Sequence, residues 1–216
     1  ETEIKPIRKN MCGRYVITNA VSKTSKMVKT AINVDDSENY NAHPYQKLPV
    51  IKKYNNGNTL ENLKWGIVPG WAKKKDFKPL INARLETIDE KVSFKKLIKL
   101  KRCVAVADGF YEWKRVEKEK TPYYFLREDK KLIYIAGIYE EDQFCMITEE
   151  ASPNVTEIHH RQPVILNESD VNKYLNIEIS GSDYLNHFQK SKLSFYEISK
   201  DVNKPTNNNI SLIQPL

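Results

Sequence analysis

The sequence contains no long apolar run and few cysteines, and both absences exclude whole classes of protein. No stretch of the 216-residue chain approaches the roughly 20 apolar residues of a membrane-spanning helix, and residues 1–10 lack the apolar core of a secretory signal. The three cysteines are an odd number without the close spacing of a zinc knuckle, which argues against a disulfide framework and a cysteine-based metal site. We therefore expect an intracellular protein, in the cytoplasm or nucleoid of a bacterium or the nucleus of a eukaryote, with no membrane partner.

The composition is that of a globular domain with a moderately basic surface. Hydrophobic residues make up 40% of the chain, charged residues 29% and aromatic residues 10%, which excludes a disordered protein. The length suits a single domain with one core. Lysine and arginine number 35 against 28 acidic residues, and the net charge of +7 favours contact with a polyanion if the cations cluster on one face. A merely solvated lysine-rich surface remains the alternative at this point.

Apolar periodicity and turn residues predict many short strands and few helices. Five closely connected β-prone runs in mid-chain favour an antiparallel meander or barrel. The predicted strands are residues 12–18, 46–54, 63–68, 103–108, 110–115, 122–127, 131–139, 144–148 and 193–198, with a turn at 55–57. The predicted helices are residues 22–34, 83–100, 168–175 and 183–188, the last two capped by Asn167 and Ser182.

The pair Met11-Cys12 carries the most distinctive chemistry. Removal of Met11 leaves Cys12 with a free α-amine beside its thiol. Such a 1,2-aminothiol condenses with an aldehyde to a Schiff base, and the thiol then closes a thiazolidine ring. The α-amine has a pKa of roughly 8, so a useful fraction is unprotonated and nucleophilic near neutral pH. Taken alone, however, an unpaired cysteine is more often a small buried side chain that opens a strand.

Four further motifs follow Cys12 in a fixed order. They are WGIVPGW at residues 65–71, NARLET at 82–87, DGFYEW at 108–113 and HHRQP at 159–163. Each motif is weak alone, but the ordered set, with YNAHP at 40–44 and AGI at 136–138, resembles the SRAP family (SOS response-associated peptidase) from Met11 to the last residues. That family includes a bacterial abasic-site processing protein and the vertebrate hydroxymethylcytosine-binding protein of embryonic stem cells. Gly70, Gln162 and His43 depart from the family's usual residues, which leaves the substrate preference open.

The resemblance implies both a fold and an activity. The implied fold is a single α+β domain over residues 11–216 with a curved, barrel-like antiparallel sheet and peripheral helices, and residues 1–10 form an extension: a tag, a leader or an upstream extension. The implied activity is covalent capture of an abasic site in single-stranded DNA by Cys12, in the DNA damage (SOS) response. We expect a monomer without a cofactor. Because an amide-linked Cys12 cannot form a Schiff base, this mechanism requires a chain that starts at Cys12.

The resemblance also assigns roles to residues far from Cys12 in the sequence. Asn82 holds Cys12 or the sugar hydroxyl through its amide. Glu112 lies in an aromatic segment that raises its pKa, and it transfers protons during the reaction. His159 acts as an acid or a base. The expected DNA contacts are three phosphate-binding arginines, Arg14, Arg84 and Arg161, and three tryptophans that stack on bases, Trp65, Trp71 and Trp113. Core packing is an equal alternative for each tryptophan. No metal is expected, since the pair His159-His160 has no third ligand in a nearby motif.

Two other functions remain open on the sequence alone. One is a thiol peptidase in which Cys12 attacks an amide with His159 as base, the activity that gave the family its name; self-processing and strand scission at the lesion are related expectations. The other is a non-covalent single-stranded DNA binding module that uses the basic face and the tryptophans. Binding by such a module is sensitive to salt but indifferent to the abasic lesion and to Cys12.

Overall fold

The computed structural model describes residues 12–72 and 76–216 of the chain. The predicted extension at residues 1–10 and Met11, the residue before Cys12, lie outside the described residues. Fourteen strands are present in this part of the chain: β1 Tyr15–Ile17, β2 Thr30–Ile32, β3 Asn39–Ala42, β4 Lys47–Tyr54, β5 Gly57–Trp65, β6 Asn82–Arg84, β7 Arg102–Ala107, β8 Gly109–Val116, β9 Glu119–Arg127, β10 Ile133–Glu140, β11 Gln143–Glu150, β12 Arg161–Pro163, β13 Ile165–Leu166 and β14 Leu193–Glu197.

The helices are short and lie outside the sheets. Within the described residues the α-helices are α1 Ala20–Thr24, α2 Leu97–Leu100, α3 Glu168–Leu175 and α4 Gly181–His187. Single 3₁₀ turns are found at Gly70–Ala72, Leu85–Thr87, Lys200–Asn203 and Ile210–Ile213. None of the described helices is long and apolar enough to cross a membrane.

Five strands close into a ring that forms the centre of the molecule. Antiparallel pairs join β11 to β10, β10 to β7, β7 to β4 and β4 to β5. The ring is completed by a parallel pair between β5 and β11, in which Lys64 lies opposite Gln143 and Trp65 opposite Phe144. This arrangement confirms the expected α+β fold with a barrel-like sheet. The closing pair is parallel, so the sheet is mixed and not purely antiparallel as predicted.

A second sheet packs beside the barrel and carries Cys12 at one end. Its strand order is β14-β9-β8-β1-β3, and all of its pairs are antiparallel. The buried Trp65 joins the two sheets, because its ring lies 5.3 Å from that of Tyr15 in β1 and 6.3 Å from that of Phe144 in β11. Since apolar burial is the main favourable contribution to folding, these contacts hold the sheet that carries Cys12 against the barrel.

Two predicted helices are wrong in most of their length. Residues 22–34 contain α1 only up to Thr24; the chain then turns, and Thr30–Ile32 pairs in parallel with β5. β-branched residues fit this pleated edge better than a helix. Residues 83–100 begin as strand β6 and form α-helix only at Leu97–Leu100. Their apolar residues do not share one buried face, because Val92 and Leu100 are mostly exposed.

The remaining predictions agree with the structure more closely. The five mid-chain runs are strands β7 to β11, and the turn before Gly57 joins β4 to β5, although β5 starts earlier than predicted. Helix α3 has the predicted bounds, and Asn167 forms a capping box with Asp170. Helix α4 starts two residues earlier than predicted, and its cap is Ser180, not Ser182.

Candidate functional site

Neighbouring strands bring Cys12 against Glu112. In β1 and β8, Tyr15 lies opposite Phe110, and the N–H of Tyr111 donates to the carbonyl of Arg14 at 3.0 Å. Extending this antiparallel register toward the N-terminus places Gly13 opposite Glu112 and Cys12 one residue further along. The backbone N–H of Cys12 donates to Oε1 of Glu112 at 2.7 Å, across 100 residues of sequence. The nitrogen that becomes the α-amine in a chain starting at Cys12 is therefore in direct contact with a carboxyl group.

Glu112 is a buried carboxyl with an altered acidity. Only 3% of the residue is exposed. Burial disfavours its charged form and raises its pKa to about 8, although hydrogen bonds from the backbone N–H groups of Cys12 and Trp113 act in the opposite direction. The pKa of the Cys12 thiol is also raised well above its usual value, first by burial and then by the neighbouring Glu112. Near neutral pH both groups favour their protonated forms.

His159 lies on the other side of the Glu112 carboxyl. Its Nε2 is 4.0 Å from Oε2 of Glu112, and its Nδ1 is 3.1 Å from both the backbone N and the backbone O of Arg161. In a neutral ring whose Nδ1 carries no proton, the N–H of Arg161 donates to Nδ1 and the proton lies on Nε2, which faces Glu112. In the charged ring Nδ1–H donates to the Arg161 carbonyl instead. The backbone of Arg161 thus serves both protonation states.

Asn82 and Arg84 are presented by strand β6. This short strand pairs in parallel with β11, where Asn82 lies opposite Met146 and Arg84 opposite Thr148. Asn82 is partly buried, whereas Arg84 is exposed and makes no side-chain hydrogen bond or ion pair with another described residue. Arg84 is therefore the arginine of the predicted set that is free to contact an anion.

Arg161 is engaged inside the protein, contrary to a simple phosphate-binding role. Only 5% of it is exposed, and its guanidinium donates to both carboxylate oxygens of Glu86, at 2.7 and 2.9 Å, and to Thr148 Oγ1 at 3.2 Å. Burial acts to raise the pKa of Glu86, but the bonds from Arg161 outweigh it and hold that pKa below its usual value. A phosphate reaches Arg161 only by displacing Glu86. Glu86 lies within the NARLET motif, and the sequence alone predicts no role for it.

Arg14 also has internal partners. Its Nη1 donates to Oδ1 of Asn41 at 2.9 Å and to the carbonyl of Val202 at 2.7 Å, and its guanidinium lies 5.8 Å from the ring centre of Trp113. The bond to Val202 ties Arg14, two residues after Cys12, to the 3₁₀ turn at Lys200–Asn203. Arg14 is only partly buried, so its outer edge stays accessible, but much of its donor capacity is occupied.

The three tryptophans occupy different environments. Trp65 is completely buried and donates from Nε1 to the carbonyl of Ile81 at 2.9 Å, so the hypothesis that it stacks on a base is wrong and the core-packing alternative holds. Trp113 is half-buried and donates to Asn203. Trp71 is 56% exposed, with one edge contact to Phe77 at 5.4 Å. Trp71 therefore has the largest free aromatic face of the three.

Metal chemistry receives no support from the described residues. Residues 12–72 and 76–216 contain no group of three or more His, Cys, Asp or Glu side chains placed to hold a metal ion. His160 is exposed and stacks on His159 with 4.6 Å between ring centres. The groups gathered here are a buried carboxyl, an imidazole, and the nitrogen and sulfur of Cys12, which together transfer protons and supply nucleophiles.

Known proteins resemble the chain over nearly its whole length. Residues 11–205 match the family model described as SOS response associated peptidase (SRAP). The abasic site processing protein YoqW of Bacillus subtilis (strain 168) is 33% identical over 222 residues, which cover 94% of this chain and 99% of that protein. The abasic site processing protein YedK of Escherichia coli (strain K12) is 29% identical over 225 residues, covering 95% and 100%.

A solved structure shares the fold. The crystal structure of a protein from Bacteroides thetaiotaomicron superposes with a TM-score of 0.80 at 24% identity and covers 95% of this chain and 100% of that one. At this level of identity the likeness concerns the arrangement of strands and helices.

Proposed function

The chain belongs to the SRAP family, and from this premise we propose that it processes abasic sites in single-stranded DNA by forming a covalent bond through Cys12. The relatives' names refer to abasic site processing. The observation that carries the proposal for this chain is the 2.7 Å contact between the Cys12 nitrogen and the buried Glu112 carboxyl, with His159 on its far side. A nitrogen nucleophile beside a carboxyl group that can transfer protons is suited to attack an aldehyde.

The proposed reaction has two steps. The α-amine of Cys12 attacks C1′ of the ring-opened sugar, a C–N bond forms, and the aldehyde oxygen leaves as water to give a Schiff base. The thiol of Cys12 then adds across the C=N bond: sulfur bonds to C1′ and the thiol proton moves to nitrogen. The Glu112 oxygen that lies 2.7 Å from the Cys12 nitrogen is placed to take up the proton of the α-amine and to return it when the aldehyde oxygen leaves as water.

The other site residues have supporting roles in this proposal. His159 gives or takes the proton that opens the closed sugar ring, and its Nε2 faces the same carboxyl that contacts Cys12. Asn82 binds the sugar-derived hydroxyl, and the exposed Arg84 binds a flanking phosphate. A single strand suits this recessed site better than a duplex, since the lesion enters without unpairing.

The active form in this proposal starts at Cys12. The amide that links Met11 to Cys12 has no nucleophilic nitrogen, so the residues before Cys12 have to be absent or removed. Glu112 contacts the nitrogen that leaves when this amide is hydrolysed, and a protonated Glu112 can supply the proton that this nitrogen needs. Self-processing is therefore the form of peptidase activity that the site favours, ahead of cleavage of other peptides.

A general thiol peptidase is a weaker candidate on chemical grounds. Cysteine nucleophiles need a thiolate, which proteins obtain by lowering the thiol pKa. Burial and Glu112 instead raise the pKa of Cys12. The same property is harmless in the proposed reaction, where the amine attacks first and the neutral thiol adds to an already electrophilic Schiff base.

The test is a denaturing gel of protein that starts at Cys12, mixed with single-stranded DNA that carries one abasic site. Without reductant we expect a heat-stable shifted band for this protein and none for Cys12→Ala or for the full 216-residue chain if its first eleven residues are retained. Cys12→Ser keeps the α-amine and loses the sulfur. We expect it to give a shifted band only after borohydride reduction of the Schiff base.

The outcomes separate the candidates. Tight binding without any shifted band, in both reduced and unreduced samples, contradicts the covalent mechanism and leaves the non-covalent binder. If Cys12→Ser gives shifted bands of equal intensity with and without borohydride, the proposed role of sulfur in ring closure is contradicted. Cleavage of an unrelated peptide that depends on Cys12 revives the thiol peptidase.

A further inference from the structure

A large basic cleft lies away from the candidate site. It has a volume of about 1130 Å³ and is formed by the segment around α1, the start of β8, the hairpin between β9 and β10, and the first turns of α3. Its lining contains five basic and two acidic side chains, a net charge of +3. None of the residues placed in the candidate site, Cys12, Asn82, Arg84, Glu112 or His159, belongs to the lining.

The cations at the cleft rim are not all neutralised by the protein. Lys23 is paired with Asp108, which also accepts from the backbone N–H of Thr18. Three lysines remain, all exposed and without an ion pair among the described residues: Lys26, Lys130 and Lys131. Lys130 occupies the left-handed region with φ 57° in the β9–β10 turn, and this tight turn presents two adjacent lysines to the cleft. The cleft thus has free positive charge where a long anion can enter.

Part of the cleft lining is apolar. Met27 and Leu132 are partly buried there, and Tyr134, almost wholly buried, forms part of the lining. Next to Tyr134, Arg127 donates to Asn167 at 3.1 Å and to Asp129. The cleft therefore offers positive charge to the phosphodiester backbone of a single strand, and no exposed aromatic ring for its bases is among the described lining residues.

The cleft is within reach of a strand bound at Cys12. Asp108 at the cleft and Glu112 at the candidate site are four residues apart on one chain segment, so their Cα atoms are separated by at most about 14 Å. Residues 109–112 of β8 are buried. A DNA strand that reaches both locations therefore has to pass over the surface beside β8.

We propose that this cleft is a second, non-covalent contact for single-stranded DNA, which binds the phosphodiester backbone beyond the lesion through Lys26, Lys130 and Lys131. The proposal rests on the proposed function only for the identity of the polymer. The cleft's own charge and shape make no use of the lesion or of Cys12. Its contribution is consequently measurable with undamaged DNA.

The test compares two triple variants of the full-length protein. The cleft variant carries Lys26→Gln, Lys130→Gln and Lys131→Gln; the control carries Lys95→Gln, Lys96→Gln and Lys99→Gln, which remove equal charge from exposed positions outside the lining. Binding of an undamaged oligonucleotide of about 20 nucleotides, longer than a single contact site needs, is followed by fluorescence anisotropy across a salt series. Each lysine that neutralises a phosphate of a single strand contributes about 0.7 to the slope of log K against log salt.

We expect the slope to become less steep by about 2 in the cleft variant and to change little in the control. Equal slopes for the two variants overturn the proposal. Crosslinking of a single-stranded oligonucleotide that carries one abasic site is measured in parallel with protein started at Cys12. If it fails in every variant while the slopes still differ, the proposed function is wrong and the cleft proposal stands.

Discussion

Glu112 is the residue on which the proposed chemistry depends. One carboxyl oxygen contacts the Cys12 nitrogen and the other faces His159 Nε2. A carboxyl in water is ionised at neutral pH, but burial raises the pKa of Glu112 to about 8, so it holds its proton there. A neutral carboxyl can both donate and accept a hydrogen bond, which lets the same group serve proton transfer in either direction.

This acidity has a measurable effect on stability. Because Glu112 binds its proton more tightly in the folded chain than in the unfolded one, its contribution is full below about pH 4.5 and is lost as the pH rises through about 8. The loss is about 1.4 kcal/mol for each pH unit within that window. We expect Glu112→Gln, which cannot ionise, to gain stability relative to the natural chain between pH 5 and pH 9, on the order of several kcal/mol.

Urea unfolding of both proteins at the two pH values checks this expectation. Glu128→Gln, which removes a carboxylate from an exposed position, is the matched control. A constant difference in the free energy of unfolding between the Glu112 variant and the natural chain, at both pH values, contradicts the raised pKa.

At the scale of elements, Glu86 joins three segments, two of which carry candidate site residues. It follows β6, which presents Asn82 and Arg84, and its carboxylate accepts from the Arg161 guanidinium at the start of β12. The same carboxylate accepts from the backbone N–H of Glu150 at the end of β11, at 3.1 Å. Since Arg161 directly follows the two histidines, this ion pair helps to hold His159 in place.

Removing that carboxylate leaves a buried guanidinium without its main acceptor. We expect Glu86→Ala to lower the free energy of unfolding by about 1–3 kcal/mol, the cost of an unsatisfied buried donor, and Glu86→Gln, which keeps one acceptor oxygen, to lower it less. Urea unfolding midpoints measure both. Glu90→Ala, at an exposed position in the next turn, should change stability by less than about 0.5 kcal/mol. Equal effects of the Glu86 and Glu90 variants would show that the pair does not stabilise the fold.

At the scale of the whole molecule, Trp65 connects the barrel to the second sheet. Its strand completes the ring by pairing with β11, and its ring contacts Tyr15 in the sheet that carries Cys12. The position of Cys12 relative to the barrel therefore depends on a completely buried side chain.

The two tryptophans of the first long motif should respond in opposite ways to truncation. We expect Trp65→Ala to lose about 3–5 kcal/mol of stability, as large buried aromatic residues do. The mostly exposed Trp71→Ala should lose little stability and instead weaken binding of single-stranded DNA, by about 1–3 kcal/mol if the ring stacks on a base. Thermal unfolding and anisotropy measure the two effects. Unchanged binding of single-stranded DNA by Trp71→Ala contradicts the prediction that Trp71 stacks on a base.

The positions of the mid-chain strands and the identity of the family can be predicted from the sequence, because both depend on local features. The runs that become β7 to β11 are rich in β-branched and aromatic residues, and the motifs around Glu112 and His159 keep their order. Helix α3 was located to the residue since its cap and apolar positions lie within one short segment. Residues 22–34 and 83–100 were misassigned because pairing with β5 and β11 overrides their local helical spacing.

The sequence by itself determined which chemical groups are available: an aminothiol at Cys12 once it starts the chain, a carboxyl, an imidazole and several arginines. Only the tertiary structure decided which of them meet. It placed Glu112 between Cys12 and His159, paired Arg161 with Glu86, left Arg84 exposed and buried Trp65. The physical reason is that burial, ion pairing and a shifted pKa arise from contacts between residues far apart in the chain, which local sequence patterns do not specify.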